Sequence, residues 1–282
     1  MKKLFVLGDS TTFDYPQECF PQQGWAHYLR DYLNEHIDII NVAHGGFSLR
    51  HFIYSEDYQS GKVDCNEPEK SIWHNILSQV QSGDYFIFYW AGINDMGQIC
   101  NDSYREKAGG EYIRDDFFKD KDVFMNVGAG YGTHTFFTMR TTPAETTEIL
   151  SHMIKDVKDK GAEVIVAKGT GKYYMLQNND KCVFSACHNF SSAVCDAAKI
   201  SLVPFINVAD TFEENFATIG YRAMIDKYFM SKNASQKFLG ADAPNLDADD
   251  NTHTNVVGAE YLCSIFIDKL KKSDSTLKNY LK

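Results

Sequence analysis

The stretch "DYFIFYWAG", Asp84 to Gly92, constrains the fold more than any other. Its six consecutive apolar or aromatic residues, Tyr85 to Trp90, leave no polar face, so a strand built from them must be covered on both sides. Four further short apolar runs share its character: "LFVL" (4–7), "IDIINVA" (37–43), "AEVIVAK" (162–168) and "LVPFINVA" (202–209). Between them lie segments of helical spacing. "GWAHYLRDYLNEH" (24–36) puts Trp25, Tyr28, Leu29, Tyr32 and Leu33 on one face. "PAETTEILSHMIKDVKDKG" (143–161) has Pro143 near its start and Gly161 just past its end, the favoured punctuation of a helix. Further helices are expected near 69–82, 188–200, 211–230 and 258–271. Strands alternating with helices predict an α/β chain, a flavodoxin-like three-layer α/β/α sandwich around a mainly parallel five-stranded sheet. The 282 residues suit one such domain, with 96–142, rich in Gly, Asp and aromatics, as an insertion at the mouth of the sheet.

The formal net charge of -10, with both signs scattered along the chain, argues against a surface made to neutralise phosphates, so nucleic acid is not expected as a partner. No apolar run approaches the length of a membrane span. Met1-Lys2-Lys3 before "LFVL" has the charge of a leader but too short an apolar run. The expectation is therefore a cytoplasmic protein, or a secreted one if a leader has been removed. The seven cysteines leave at least one without an intrachain partner, which favours a reducing compartment.

Polar segments sit where these strands end. The first strand runs into Gly8, Asp9 and Ser10; Asp, Ser and Thr are also good helix N-caps, so "DSTT" alone fits either a ligand site or a helix start. The second strand ends in "NVAHGGFS", the third in "AGIND". Near the other end, "DADDNTHTNVVGAEYL" places Asp250 three residues before His253 at a helix start, a spacing that lets a carboxylate hold an imidazole by its Nδ1 proton. In a doubly wound sheet these loops emerge at one edge, bringing together a nucleophile, a base, an orienting acid and backbone donors.

The blocks "GDS" (8–10), "NVAHGGFS" (41–48), "GIND" (92–95) and "DNTH" (250–253) resemble, in order, the four signature blocks of the SGNH hydrolases, also called the GDSL family. "GDST", "GWA", "GGFS" before Arg50, and "HTNVVGAEYL" are most similar to the rhamnogalacturonan acetylesterase branch, carbohydrate esterase family 12. The resemblance implies the SGNH hydrolase fold and a serine esterase acting on a small-molecule or polysaccharide ester, with acetyl as the acyl group and a carbohydrate as the remainder. It implies no metal and no cofactor. It makes Ser10 the nucleophile, His253 the base and Asp250 its orienting acid. The oxyanion donors would be the backbone N–H of Ser10, the backbone N–H of Gly46 and the side-chain amide of Asn94, with Gly45 as the alternative glycine in the doublet.

The chain departs from that branch at Phe47, where arginine is usual, and at "VAKGTGK" after the fourth strand. "HGG" (44–46) resembles an oxyanion loop of α/β-hydrolase lipases, but the GxSxG elbow that they require is missing. "GAGYG" (128–132) lacks the spacing of a dinucleotide loop. Cys182, Cys187, His188 and Cys195 match no zinc spacing and read as core or loop thiols. His44, His51 and His134, with the aromatics Tyr104, Tyr112, Phe117, Phe118, Tyr131, Phe136 and Phe137, remain candidates for pocket lining or for packing of their own loops.

Overall fold

The computed structural model describes residues 1–60, 62, 66–95, 141–176, 179–185, 187–230 and 250–282. Its strands are β1 Lys2–Leu7, β2 Ile37–Asn41, β3 Tyr85–Trp90, β4 Glu163–Lys168, β5 Tyr173–Leu176, β6 Asn179–Ser185 and β7 Phe205–Asn207. The helices are α1 Leu29–Tyr32, α2 Leu49–Ile53, α3 Glu56–Gln59, α4 Ile72–Gln79, α5 Pro143–Asp159, α6 His188–Ser201, α7 Val208–Ile219, α8 Tyr221–Tyr228 and α9 Val256–Leu270.

Five strands form one sheet in the order β2-β1-β3-β4-β7, every pair parallel, as the uninterrupted apolar runs require. The residues of β3 divide between two cores by simple alternation. Tyr85, Ile87 and Tyr89 pack with Trp25, Phe212, Phe216 and Phe266 on one face. Phe86, Phe88 and Trp90 pack with Trp73, Leu150, Met153 and Val194 on the other. All six are 2 % exposed or less, and burying each contributes roughly 1.5–3 kcal/mol. Strand β1 splits the same way, Leu4 and Val6 against Phe5 and Leu7. The layered α/β/α architecture follows.

The chain passes from β1 to β2 on one side and then crosses to β3 on the other, so the crevice beyond the carboxyl end of β1 is a topological switch point. Strand ends are in register there: Leu7 pairs with Phe88, and Trp90 with Lys168.

Several elements differ from expectation. The segment 24–36 is a 3-10 turn, Trp25–Tyr28, followed by the short α1. Trp25 wedges between Tyr89 and Phe266, with ring centroids 4.7 and 4.9 Å away, and Leu33 turns extended to bridge Leu281. Tertiary packing thus overrides the helical spacing. The expected helix over 211–230 is broken into α7 and α8 at Gly220, whose φ of 91° is glycine's territory and where a Cβ would overlap the Asp180 carboxylate. An antiparallel hairpin, β5–β6, and the short helices α2 and α3 were not expected. Nearly all of 96–142 lies outside the described residues, and with it "GAGYG", His134 and the candidate aromatics. Among the described residues no helix is long and apolar enough to cross a membrane.

Candidate active site

The turn after β1 is built by small groups. A Cβ on Gly8 would overlap the Thr12 side chain, so glycine lets the chain fold back at once. The Asp9 carbonyl accepts from Thr12 N at 3.0 Å and Phe13 N at 3.1 Å. Its carboxylate Oδ1 accepts from Thr11 N at 2.9 Å and Thr11 Oγ1 at 2.8 Å. Asn41, at the end of β2, donates to Thr12 O at 2.9 Å, and His44 N donates to Gly8 O at 3.1 Å. These bonds hold the second loop against the first. Ser10 stands at the top of the turn.

The loop before α9 comes to meet it. Thr252 N and His253 N both donate to Asp250 Oδ1, at 3.0 and 2.9 Å. Asp250 Oδ2 lies 2.8 Å from His253 Nδ1, and His253 Nε2 lies 2.9 Å from Ser10 Oγ. A carboxylate accepts only, so Nδ1 carries the proton and Nε2 is left to accept the serine hydroxyl. The loop is fixed from outside: Met230 N donates to His253 O at 2.9 Å, and Thr254 Oγ1 to Gln23 O at 3.0 Å. Asn251 and Tyr173 exchange bonds, which ties the loop to β5.

Electrostatics follow from this packing. Burial works against a charged His253, but the Asp250 carboxylate, its hydrogen bond and the charge of Asp9 outweigh that, while Lys172 opposes them; the ring's pKa ends above the ordinary histidine value. Burial likewise opposes the charge on Asp250, yet His253 and the two backbone N–H donors hold its pKa below the usual carboxylate range.

Of the glycine doublet, Gly45 lies beside the serine. A Cβ at Gly45 would come within 3.9 Å of Ser10 Cβ, and Gly46 adopts a left-handed φ of 78°. The Asn94 amide donates to Phe47 O at 3.1 Å. An amide nitrogen carries two N–H groups, so anchoring one sets the direction of the other. His44 and His51 both contact the second loop. Phe47 stacks between them, centroids 4.6 and 4.9 Å away, and His51 Nδ1 accepts Ser48 N–H at 3.0 Å. Cys182 is exposed, Cys187 buried and Cys195 in between, all as thiols.

Two carboxylates went unread in the sequence. Asp9 is 2 % exposed and its Oδ2 has no hydrogen-bond partner among the described residues; burial raises its pKa despite the bonds from Thr11. Asp95 is wholly buried. Both lie inside signature blocks, and that position was the signal available.

No protein-family profile matches the chain. It is 24% identical over 273 residues to the "uncharacterized esterase YxiM" of Bacillus subtilis, covering 96% of this chain and 52% of the relative. To the "probable rhamnogalacturonan acetylesterase YesY" of the same organism it is 27% identical over 178 residues, 61% of this chain and 77% of the relative. The chain therefore spans about half the length of YxiM. The crystal structure of YxiM shares the fold, with a TM-score of 0.60 at 21% identity, covering 96% of this chain and 56% of that one. The four blocks that resemble those of the SGNH hydrolases thus fall in order at one sheet edge, on a fold shared with YxiM, and the chain is similar to one protein named an esterase and to one named a probable rhamnogalacturonan acetylesterase.

Proposed function

We propose that the chain is a serine-type carboxylic ester hydrolase that removes acyl groups, chiefly acetyl, from a carbohydrate. The observation that carries the reading is the continuous relay from Asp250 Oδ2 through His253 to Ser10 Oγ, with both gaps under 3 Å. Ser10 Oγ attacks the ester carbonyl while His253 Nε2 takes its proton, and Asp250 stabilises the imidazolium that forms. The negative oxygen of the tetrahedral adduct is met by the N–H groups of Ser10 and Gly46 and by the Asn94 amide. His253 returns its proton to the departing alcohol, leaving an acyl group on Ser10. A water molecule, deprotonated by His253, then attacks the acyl carbon, and the bond to Ser10 Oγ breaks as His253 returns the proton to that oxygen, releasing the acid.

The acetyl and carbohydrate assignments rest on the signature blocks and on the name of the YesY relative. Nitrophenyl esters of rising chain length test the first; preference for acetate supports it, and preference for octanoate points to a lipase-type enzyme. Acetate release from acetylated pectins, xylans and simple sugars, with Ser10→Ala as the blank, tests the second. Covalent labelling by a fluorophosphonate separates a hydrolase from a carbohydrate-binding protein on the same fold, which would not react at Ser10.

A further inference from the structure

Asp95 is 0% exposed, yet all its side-chain bonds run to groups that build the site and none reaches Ser10, Asp250 or His253. Oδ1 accepts from Leu49 N at 3.1 Å, at the start of α2 and just past the Gly46 loop, and from Thr141 Oγ1 at 2.9 Å. Oδ2 accepts from Trp90 Nε1 at 2.7 Å, at the end of β3. Its backbone carbonyl accepts from Thr141 N at 3.3 Å, and Thr141 Oγ1 lies 2.7 Å from Thr146 Oγ1 inside α5. Alongside, Arg50 of α2 pairs with Glu145 of α5 at 2.7 Å. Asn94, the residue before Asp95, donates to Phe47 O. One carboxylate therefore joins the loop of Gly46, the loop of Asn94 and the head of α5.

We propose that Asp95, in its ionised form, is a positioning residue that clasps these three segments and so sets where the oxyanion donors point. The inference rests on the ester-hydrolase reading. An anion suits the role because every neighbour is a donor: a backbone N–H, a hydroxyl and an indole N–H. An amide in its place turns its NH2 either toward the Trp90 indole N–H or toward Leu49 and Thr141, donor against donor. The carboxylate is held ionised against its burial, which raises its pKa to about 6, countered by bonds from Leu49, Thr141 and Trp90 and aided by the charge of Asp9. On the joined elements, Arg50 and Glu145 are paired to each other, His51 is engaged with Ser48 and His44 is stacked on Phe47, while α5 carries Glu148, His152, Lys155, Asp156, Lys158 and Asp159 further along its length. Protonation of Asp95 removes an acceptor from the clasp, so alignment of the donors weakens below about pH 6.

The test is the rate of fluorophosphonate labelling and of nitrophenyl acetate hydrolysis from pH 5 to 9 in the wild type and Asp95→Asn, with thermal unfolding to confirm folding. The expected result is a loss of tenfold or more in kcat at pH 8 with KM little changed. The acid limb should also steepen below pH 6 in the wild type and keep a single ionisation in the variant. A folded Asp95→Asn with wild-type rate and limb overturns the proposal. If Asp95→Asn does not fold, Thr141→Val, which removes one donor, is read the same way and should show a smaller loss in kcat. If the wild type neither hydrolyses esters nor labels, the esterase reading has failed. The Trp90 indole resonance, assigned with Trp90→Phe, and the Leu49 amide then decide: a shared midpoint near pH 6 upholds the clasp, and flat traces overturn it.

Discussion

At the scale of single residues, the proposed function makes His253 the group that governs the pH response. Its base form is the neutral ring, and Asp250 and Asp9 stabilise the charged one, so activity should fall as pH drops through a midpoint above that of an ordinary histidine. A pH profile of kcat/KM in which the acid limb lies below that ordinary value would contradict the assignment. Asn94→Ala should cost about 3 kcal/mol of transition-state stabilisation, a fall of 10²–10³ in kcat with little change in KM, read by steady-state kinetics. Ser10→Ala should abolish fluorophosphonate labelling altogether. That Ser10, Asp250 and His253 come together was legible because their neighbours resemble a family's blocks. Asp9 and Asp95 stand in the same blocks, but nothing in the letters says which acids are buried, since burial depends on what the rest of the chain lays over them. Phe47 could be seen to replace an arginine, whereas its stacking between His44 and His51 emerges only once the second loop folds back on itself.

Elements obey local chemistry where local chemistry is strong. Helix α5 begins as its sequence demands, with Pro143 in its first turn and Thr142 and Glu145 closing a reciprocal cap, and it ends at Gly161 with φ 80°. The parallel strands are equally plain, because runs such as Tyr85–Trp90 have no other way to bury both faces. The segment 24–36 misleads because Trp25 is worth more wedged between two rings than aligned on a helix. At the start of α9, Asn255 caps Gly258 N at 3.0 Å, and a Cβ on Gly258 would overlap the Tyr228 carbonyl. Gly258→Ala should therefore destabilise the fold by about 1–3 kcal/mol, lowering the melting temperature by roughly 2–10 °C. An unchanged melting temperature in differential scanning calorimetry would show that α9 can shift without cost. Because this helix start also seats His253, kcat should fall with it.

Across the whole molecule, the site depends on the sheet being complete. Ser10 follows β1, an inner strand between β2 and β3, Gly46 and Asn94 follow β2 and β3, and the Asp250–His253 loop is tied to β5 and to the residues just after α8. No subset of these elements holds all the parts. Urea titration should therefore give coincident midpoints for esterase activity and far-ultraviolet circular dichroism; activity lost well before the backbone signal would mean that the catalytic loops open independently. Ser10 and His253, which exchange a proton in the proposed reaction, are 243 positions apart in the chain. During synthesis, at roughly 5–20 residues per second, the nucleophile leaves the ribosome some tens of seconds before its base is even made. A nascent polypeptide thus displays Ser10 with no imidazole beside it, and under the proposed function its reactivity arises only on closure of the fold.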